Sequence, residues 1–352
     1  MKTLKDFDFQ NKKVLLRTNF DVPLTKEGKI EDDFRIKEAL PTIEYLLEKG
    51  AGVIVISHLG RPGKGQGHSL KITAERLEEL LSKEIIFSND CVGKAAQKTV
   101  AMLKHGEVAV LENLRFEKGE EENSEEFSKT LASFADIYIN DAFSVSHRKH
   151  ASVAGIPAHL PSGAGLLLEK EINTLSSVMR EPARPLTVVL GGAKIETKLS
   201  CLMNFLEIAD HVLVGGKLAP VILGAKGVSV TSLYPGEEVE KKLAGLELTN
   251  PKLHMPIDAL VGLKDHDEDY LRQSGVGKIR SEEHMFDIGP ETVKIFSDII
   301  EHSKTIVWNG PLGYTEDQRF AAGTMGVASA ILINKIYSIV GGGDTLSFFG
   351  KK

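Results

Sequence analysis

Val53-Ile54-Val55-Ile56-Ser57-His58-Leu59-Gly60-Arg61-Pro62 is an unbroken apolar run that ends in a serine, a histidine, an arginine and a glycine and proline break. A strand that is apolar at every position has both faces covered, which points to a parallel sheet wrapped by helices. Three more runs of the same kind occur in the first half: Val14-Leu15-Leu16, Val108-Ala109-Val110-Leu111 and Ile137-Tyr138-Ile139. Between the first two strands, Ile36, Ala39, Leu40, Ile43, Leu46 and Leu47 fall on one helical stripe that Gly50 ends, so this stretch reads as a βαβ unit. Pro41 is expected to kink that helix or to lie in its first turn.

The second half repeats the scheme with Leu186-Thr187-Val188-Val189-Leu190, Val212-Leu213-Val214, Thr305-Ile306-Val307-Trp308 and Ile336-Tyr337-Ser338-Ile339-Val340. The fold class is therefore α/β, with two doubly wound, Rossmann-like parallel sheets flanking a cleft. A length of 352 residues agrees, being too long for one ordinary core. Leu166–Met179 reads as a helix, with Pro182 and Pro185 just after it, that joins the two lobes. The expected division is 1–165 and 166–352, with the linking helix at 166–180. The acidic run Glu117–Glu126 is read as a solvated helix start.

Composition narrows the function classes. Apolar residues make up 42% and charged residues 26%, which fits a packed globular chain. The net charge of −6 argues against nucleic acid as a main partner. Cys91 and Cys201 stand far apart and indicate neither a disulfide framework nor a zinc site. No run of about 18 apolar residues occurs, so no membrane span is expected and a cytoplasmic location is.

In doubly wound sheets, ligands bind beyond the carboxyl ends of the strands. In the first half those positions carry His58 and Arg61, then Glu112-Asn113-Leu114-Arg115-Phe116, then Asn140-Asp141-Ala142-Phe143 with His147 and Arg148; Arg35 lies near the helix after the first strand. One arginine alone would be a surface ion pair. Four at equivalent topological positions point to a pocket for a small polyanion, because guanidinium forks grip phosphate or carboxylate.

The second half offers glycines and lysines: Gly191-Gly192-Ala193-Lys194-Ile195-Glu196-Thr197-Lys198, Gly215-Gly216 and Gly341-Gly342-Gly343-Asp344-Thr345. Bare amides at helix starts suit a phosphate chain. None of these is a P-loop or a G-x-G-x-x-G, and each taken alone is also readable as a tight turn. Asp344 among such amides suits a Mg²⁺–nucleotide. A polyanion lobe and a nucleotide lobe make a kinase; since no general base is evident, an acceptor that is itself a carboxylate, ionised with a pKa of about 4, fits best.

These motifs, with Asp33-Phe34-Arg35-Ile36, Asp287-Ile288-Gly289-Pro290 and Trp308-Asn309-Gly310-Pro311, resemble phosphoglycerate kinase from the first strand to Thr345. The resemblance implies reversible transfer between the acyl phosphate of 1,3-bisphosphoglycerate and ADP, giving 3-phosphoglycerate and ATP, by a monomer that closes its lobes. It implies that Asn19, Asp21, Arg35, His58, Arg61, Arg115, His147 and Arg148 bind the phosphoglycerate. Gly192, Lys194, Lys198, Gly215, Gly216, Asn309, Pro311, Gly313, Glu316, Gly341, Gly342, Gly343, Asp344 and Thr345 would bind ADP or ATP, with Glu316 on the ribose. Arg35, Lys198 and Gly343 would be catalytic, and Asp344 would address Mg²⁺.

Four features depart from the family pattern. The first strand is followed by Asn19-Phe20-Asp21 where Asp-Phe-Asn is usual; residues two apart at a strand end point the same way, so the swapped pair is expected to offer the same groups. Lys217 replaces a small residue near the expected adenine pocket and is read as pointing to solvent. Thr315 and Asp317 stand where aromatics flank Glu316. After Thr345 seven residues remain where the family continues with a helix, a second glycine loop and a tail. That last feature and the swapped Asn19/Asp21 pair motivate the alternative of a weak or inactive ligand-binding remnant. A nicotinamide dehydrogenase would share the architecture, but its G-x-G-x-x-G with an acidic residue about 20 positions on is not found.

Overall fold

The computed structural model describes residues 1–62, 65–228, 236–263 and 270–350. The chain forms two compact units, Met1–Ser176 and Ser177–Lys352.

In the first unit, β1 (Lys13–Arg17) leads through α1 (Phe34–Glu48) to β2 (Gly52–Ile56). A two-residue ribbon follows, β3 (Gly60–Arg61) with β4 (Gln66–Gly67). Then come α2 (Lys71–Leu81), β5 (Ile85–Phe87), α3 (Lys94–Met102), β6 (Val108–Val110), α4 (Lys118–Glu121), α5 (Glu125–Ala132), β7 (Ile137–Asn140), β8 (Ser162–Ala164) and α6 (Leu166–Arg180). The sheet order is β5-β6-β2-β1-β7-β8, and every pairing is parallel. The chain builds to one side of β1 and then crosses to the other at β7, so the carboxyl ends of β1, β2 and β7 border the switch point where such folds bind ligands.

All five positions of β2 are buried, as its unbroken apolar run requires. Val53 and Val55 pack into a core with α1 and α2 residues, while Ile54 and Ile56 pack into a second core with Ala96, Val100 and Leu131 on the other face. Full burial of each such side chain contributes about 1.5–3 kcal/mol. Of the two readings of Pro41, the first-turn position is excluded: it lies in the middle of α1, so the Lys37 carbonyl loses a helical donor. One expectation is corrected here. The acidic run is not uniformly solvated: Glu120 is fully buried, and its carboxylate is taken up by Ser152.

The second unit begins with β9 (Leu186–Leu190), α7 (Ile195–Ile208), β10 (His211–Val214), α8 (Leu218–Ala225), α9 (Glu237–Ala244) and β11 (Leu253–His254). It continues with β12 (Asp258–Leu263), β13 (Arg272–Gly275), β14 (Glu283–Ile288), α10 (Pro290–Glu301), β15 (Thr305–Asn309), α11 (Ala322–Ile333), β16 (Tyr337–Gly341) and α12 (Gly343–Gly350). Its main sheet, β11-β10-β9-β15-β16, is again all parallel. An antiparallel sheet, β13-β12-β14, was not legible in the sequence, because β13 is polar and β14 mixes polar and apolar residues, so neither carries the continuous apolar run of the parallel strands.

The division into compact units falls inside α6, at Ser176/Ser177. The start of α6 belongs to the first unit: Leu166 N–H donates to Thr42 Oγ1 at 3.0 Å and Leu168 N–H to Asp141 Oδ1 at 3.0 Å. Near its other end, Val178 packs into the second unit's core. Among the described residues, no helix is long and apolar enough to cross a membrane.

Candidate active site

The first unit gathers its basic residues at the strand ends. Ser57, just past β2, ties β1 to β2: its Oγ donates to Thr18 O and accepts from Phe20 N–H, both at 2.8 Å. That fixes the turn carrying Asn19 and Asp21. Asp21 Oδ1 accepts Gly60 N–H at 2.8 Å, and Oδ2 lies 3.8 Å from Arg35 and 3.7 Å from His58 Nε2. Arg35 also donates to the Asp21 carbonyl. Arg115 holds Gly60 from the other side, donating to its carbonyl at 2.8 Å. Arg61, exposed in β3, therefore follows a residue clamped at both N–H and C=O.

His58 sits at the centre of this group and is 2% exposed. Burial pushes its imidazole well below the usual range, and the charges of Arg17, Arg115, Arg148 and Arg35 push the same way, so the ring is neutral at pH 7. The structure thus brings Arg35, His58, Arg115 and Arg148 within electrostatic reach of one another. Arg148 Nε is buried with no hydrogen-bond partner among the described residues. His147 is exposed on the same loop. The swapped pair has separate partners: β1 ends at Arg17, so strand alternation does not extend to residues 19–21. Asn19 turns to Ser144 Oγ, at 2.8 Å, while Asp21 faces Gly60, Arg35 and His58.

Two motif residues serve as struts. Asn113 Nδ2 donates to Leu59 O at 2.7 Å and His68 O at 2.8 Å, and Glu112 accepts from Ser69 and Leu70, so the loop bearing His58 and Arg61 is held from beneath. Asp141 is 1% exposed and anchors α6; burial pushes its carboxyl up to about 6. Sequence reasoning missed Arg17, the last residue of β1, which is fully buried against His58. The available signal was a charge at the very end of an apolar run.

The second unit assembles three glycine turns around one another. Gly192 N–H donates to Pro311 O at 2.7 Å, Gly216 N–H to Leu312 O at 2.8 Å and Lys217 N–H to Gly192 O at 3.0 Å. Backbones this close leave no room for side chains. At Gly216, with φ +55°, a Cβ would lie 2.4 Å from Gly192 N; at Gly310, with φ +96°, it would lie 2.2 Å from Gly191 O. Lys198, in the first turn of α7, donates to Asn309 O at 3.0 Å and also to Asn309 Oδ1. Lys194 and Glu316 are exposed, and so is Lys217, as expected.

The last glycine run turns at Gly342, with φ +95°, and enters α12 at Gly343. Thr345 is buried there, its Oγ1 accepting Gly310 N–H at 2.8 Å, which ties α12 to the turn after β15. The side chain of Asp344 lies outside the described part of the structure. Gly313 packs against Asp287, whose carboxyl burial pushes up to about 7 although Gly323 and Ile288 N–H groups donate to it.

A phosphoglycerate kinase family profile matches residues 4–351. A phosphoglycerate kinase of Pelotomaculum thermopropionicum is 41% identical over 351 residues, covering 98% of this chain and 89% of that protein. The chain belongs to the phosphoglycerate kinase family. One from Desulfosudis oleivorans is 43% identical over 360 residues, with 99% and 89% covered. Among solved structures, the phosphoglycerate kinase of Pyrococcus horikoshii OT3 is similar with a TM-score of 0.89 at 34% identity, over 100% of this chain and 91% of that one. That of Coxiella burnetii gives 0.78 at 36% identity, over 99% and 90%.

For phosphoglycerate kinase chemistry, the fit of Mg²⁺ can be judged from the donors present. Among the described residues no group of three or more His, Cys, Asp or Glu side chains converges as a metal cage.

Proposed function

We propose that the chain transfers a phosphoryl group reversibly between 1,3-bisphosphoglycerate and ADP, as a cytoplasmic monomer using Mg-nucleotide. The observation that carries this reading is the cluster of Arg35, His58, Arg115 and Arg148 at the carboxyl ends of one parallel sheet, in a chain of this family whose second sheet ends in crowded glycine turns. We assign residues 1–176 to the phosphoglycerate and the remainder to the nucleotide.

Arg115 and Arg148, with Arg61 and His58, bind the phosphate of 3-phosphoglycerate that is not transferred, while Asn19, Asp21 and His147 border it. Arg35, already held by the Asp21 carbonyl, faces the carboxylate and the transferring group. Lys198 leaves Asn309 for the nucleotide phosphates, the N–H groups of the first turn of α12 from Gly343 face them, and Gly192 and Gly216, whose own N–H groups are taken by Pro311 O and Leu312 O, shape the turns that border them. Lys194 adds charge and Glu316 takes the ribose. Thr345, with its hydroxyl oxygen occupied, supports the turn. Mg²⁺ bound with the nucleotide, with Asp344 as its protein partner, would neutralise phosphate charge.

The acceptor carboxylate is ionised at neutral pH, so the residues present need only orient the two ligands in line and neutralise the transition-state charge. A coupled assay of ATP formation from ADP and 1,3-bisphosphoglycerate tests the proposal. Turnover is expected; binding of both ligands without turnover would establish the binding-only alternative instead.

A further inference from the structure

Arg17 is 1% exposed, so a ligand cannot touch it, yet every arm of its guanidinium is engaged. Nε donates to Ser152 Oγ at 3.0 Å, one terminal nitrogen donates to the Thr18 carbonyl, and the other meets His58 Nδ1 at 3.0 Å. Behind it stands Glu120, also buried, which accepts Ser152 Oγ–H at 2.6 Å and Ser152 N–H at 2.9 Å, with His150 Nδ1 at 3.6 Å. Tyr138 Oη donates to the Ser152 carbonyl. Ser152 is thereby gripped at its N–H, its carbonyl and its hydroxyl.

This arrangement determines where the proton of His58 sits. A guanidinium has only donors, so Nδ1 must be the acceptor, and the single ring proton lies on Nε2. An imidazolium would turn an N–H toward Arg17 and add one more cation beside Arg35, Arg115 and Arg148. Nε2 faces Asp21 Oδ2 at 3.7 Å, beyond hydrogen-bond distance, so its N–H is able to donate to a ligand oxygen.

We infer that Arg17, held by Ser152 and charge-compensated by Glu120, locks His58 as the Nε2–H tautomer and aims that N–H into the anion site. Arg17 and Glu120 are then positioning residues for a phosphate they never touch. A buried Arg17 without Glu120 would be an uncompensated cation, which is why the pair is carried together. The identity of the anion rests on the function proposed above; the tautomer does not.

The test reads the tautomer first. Long-range ¹H–¹⁵N spectra of the full chain at pH 7, with the His58 signals assigned by their loss in His58→Gln, should show a protonated Nε2 and a bare Nδ1. An Nδ1–H tautomer or an imidazolium overturns the inference, whether or not the protein turns over. The double variant Arg17→Met/Glu120→Gln removes both buried charges together and so avoids leaving either unpaired. It should populate both tautomers and raise KM for 3-phosphoglycerate about tenfold, with KM for ATP unchanged and kcat altered by less than about threefold.

Arg17→Lys, which restores a donor toward Nδ1 without the fork, should fall between. Unchanged KM in the double variant, or a parallel loss of kcat, overturns the relay, and if that variant does not fold, the wild-type spectrum and Arg17→Lys decide. Absence of turnover in the wild-type protein with the Nε2–H tautomer present would count against the proposed function alone.

Discussion

At the scale of single residues, the two half-sites rest on different physics. Arg35 works through a charge and a fork: it already spans the Asp21 carbonyl and carboxylate, so its orientation exists before a ligand arrives. Arg35→Ala should lower kcat by about 10²–10³-fold while ADP affinity stays unchanged, as checked by steady-state kinetics and nucleotide titration. Full turnover in that variant would remove Arg35 from the transition state. Gly310 works through the absence of a side chain. Gly310→Ala must both hold φ near +96° and fit a Cβ 2.2 Å from the Gly191 carbonyl, so backbone must shift. The expected cost is about 2 kcal/mol or more, measured as a lower urea midpoint, together with a raised KM for ATP. The sequence singled out Arg35 as a candidate, whereas Gly310 stood there only within the stretch Trp308-Asn309-Gly310-Pro311. Arg17 was not read, because at the end of an apolar run its burial depends on Glu120 and Ser152, more than 100 positions away.

At the scale of elements, α6 shows how a helix start is coupled to pH. Asp141, past the end of β7, accepts Leu168 N–H, and burial raises its carboxyl from 3.8 to about 6 against hydrogen bonds that lower it, with a minor push from the Glu38 charge on α1. Glu171, within α6, is likewise raised by burial and by Asp141 and Glu38. A raised folded-state pKa means that the stability contribution is complete below about pH 4 and is lost as pH rises through about 6. Asp141→Asn keeps an acceptor for Leu168 and removes the ionisation. It should match the wild type at pH 4 and exceed it at pH 8 by up to about 3 kcal/mol, the equivalent of that shift. Thermal unfolding at the two pH values checks this; a gain of the same size at both would remove Asp141 as its source. The helix itself was legible from its apolar spacing and the prolines after it, but its membership in both units was not, since that depends on what Leu168 and Val178 meet.

At the scale of the whole molecule, the chain has separate cores in its two units, and its single tryptophan, Trp308, belongs to the second. Trp308 packs with Leu213, Phe296 and Val327. Leu213→Ala should therefore cost about 2–5 kcal/mol and move the Trp308 emission midpoint to lower urea. An unchanged midpoint would mean that the site collapses around the missing side chain. The sequence alone determined the two parallel sheets and the strand ends that carry basic residues or glycines, because continuous apolar runs and their terminators are local patterns. It did not determine the antiparallel sheet, the burial of Glu120, the separate partners of Asn19 and Asp21 or the acceptor nitrogen of His58. Those depend on which distant groups meet where water is excluded, and only the tertiary structure decides that.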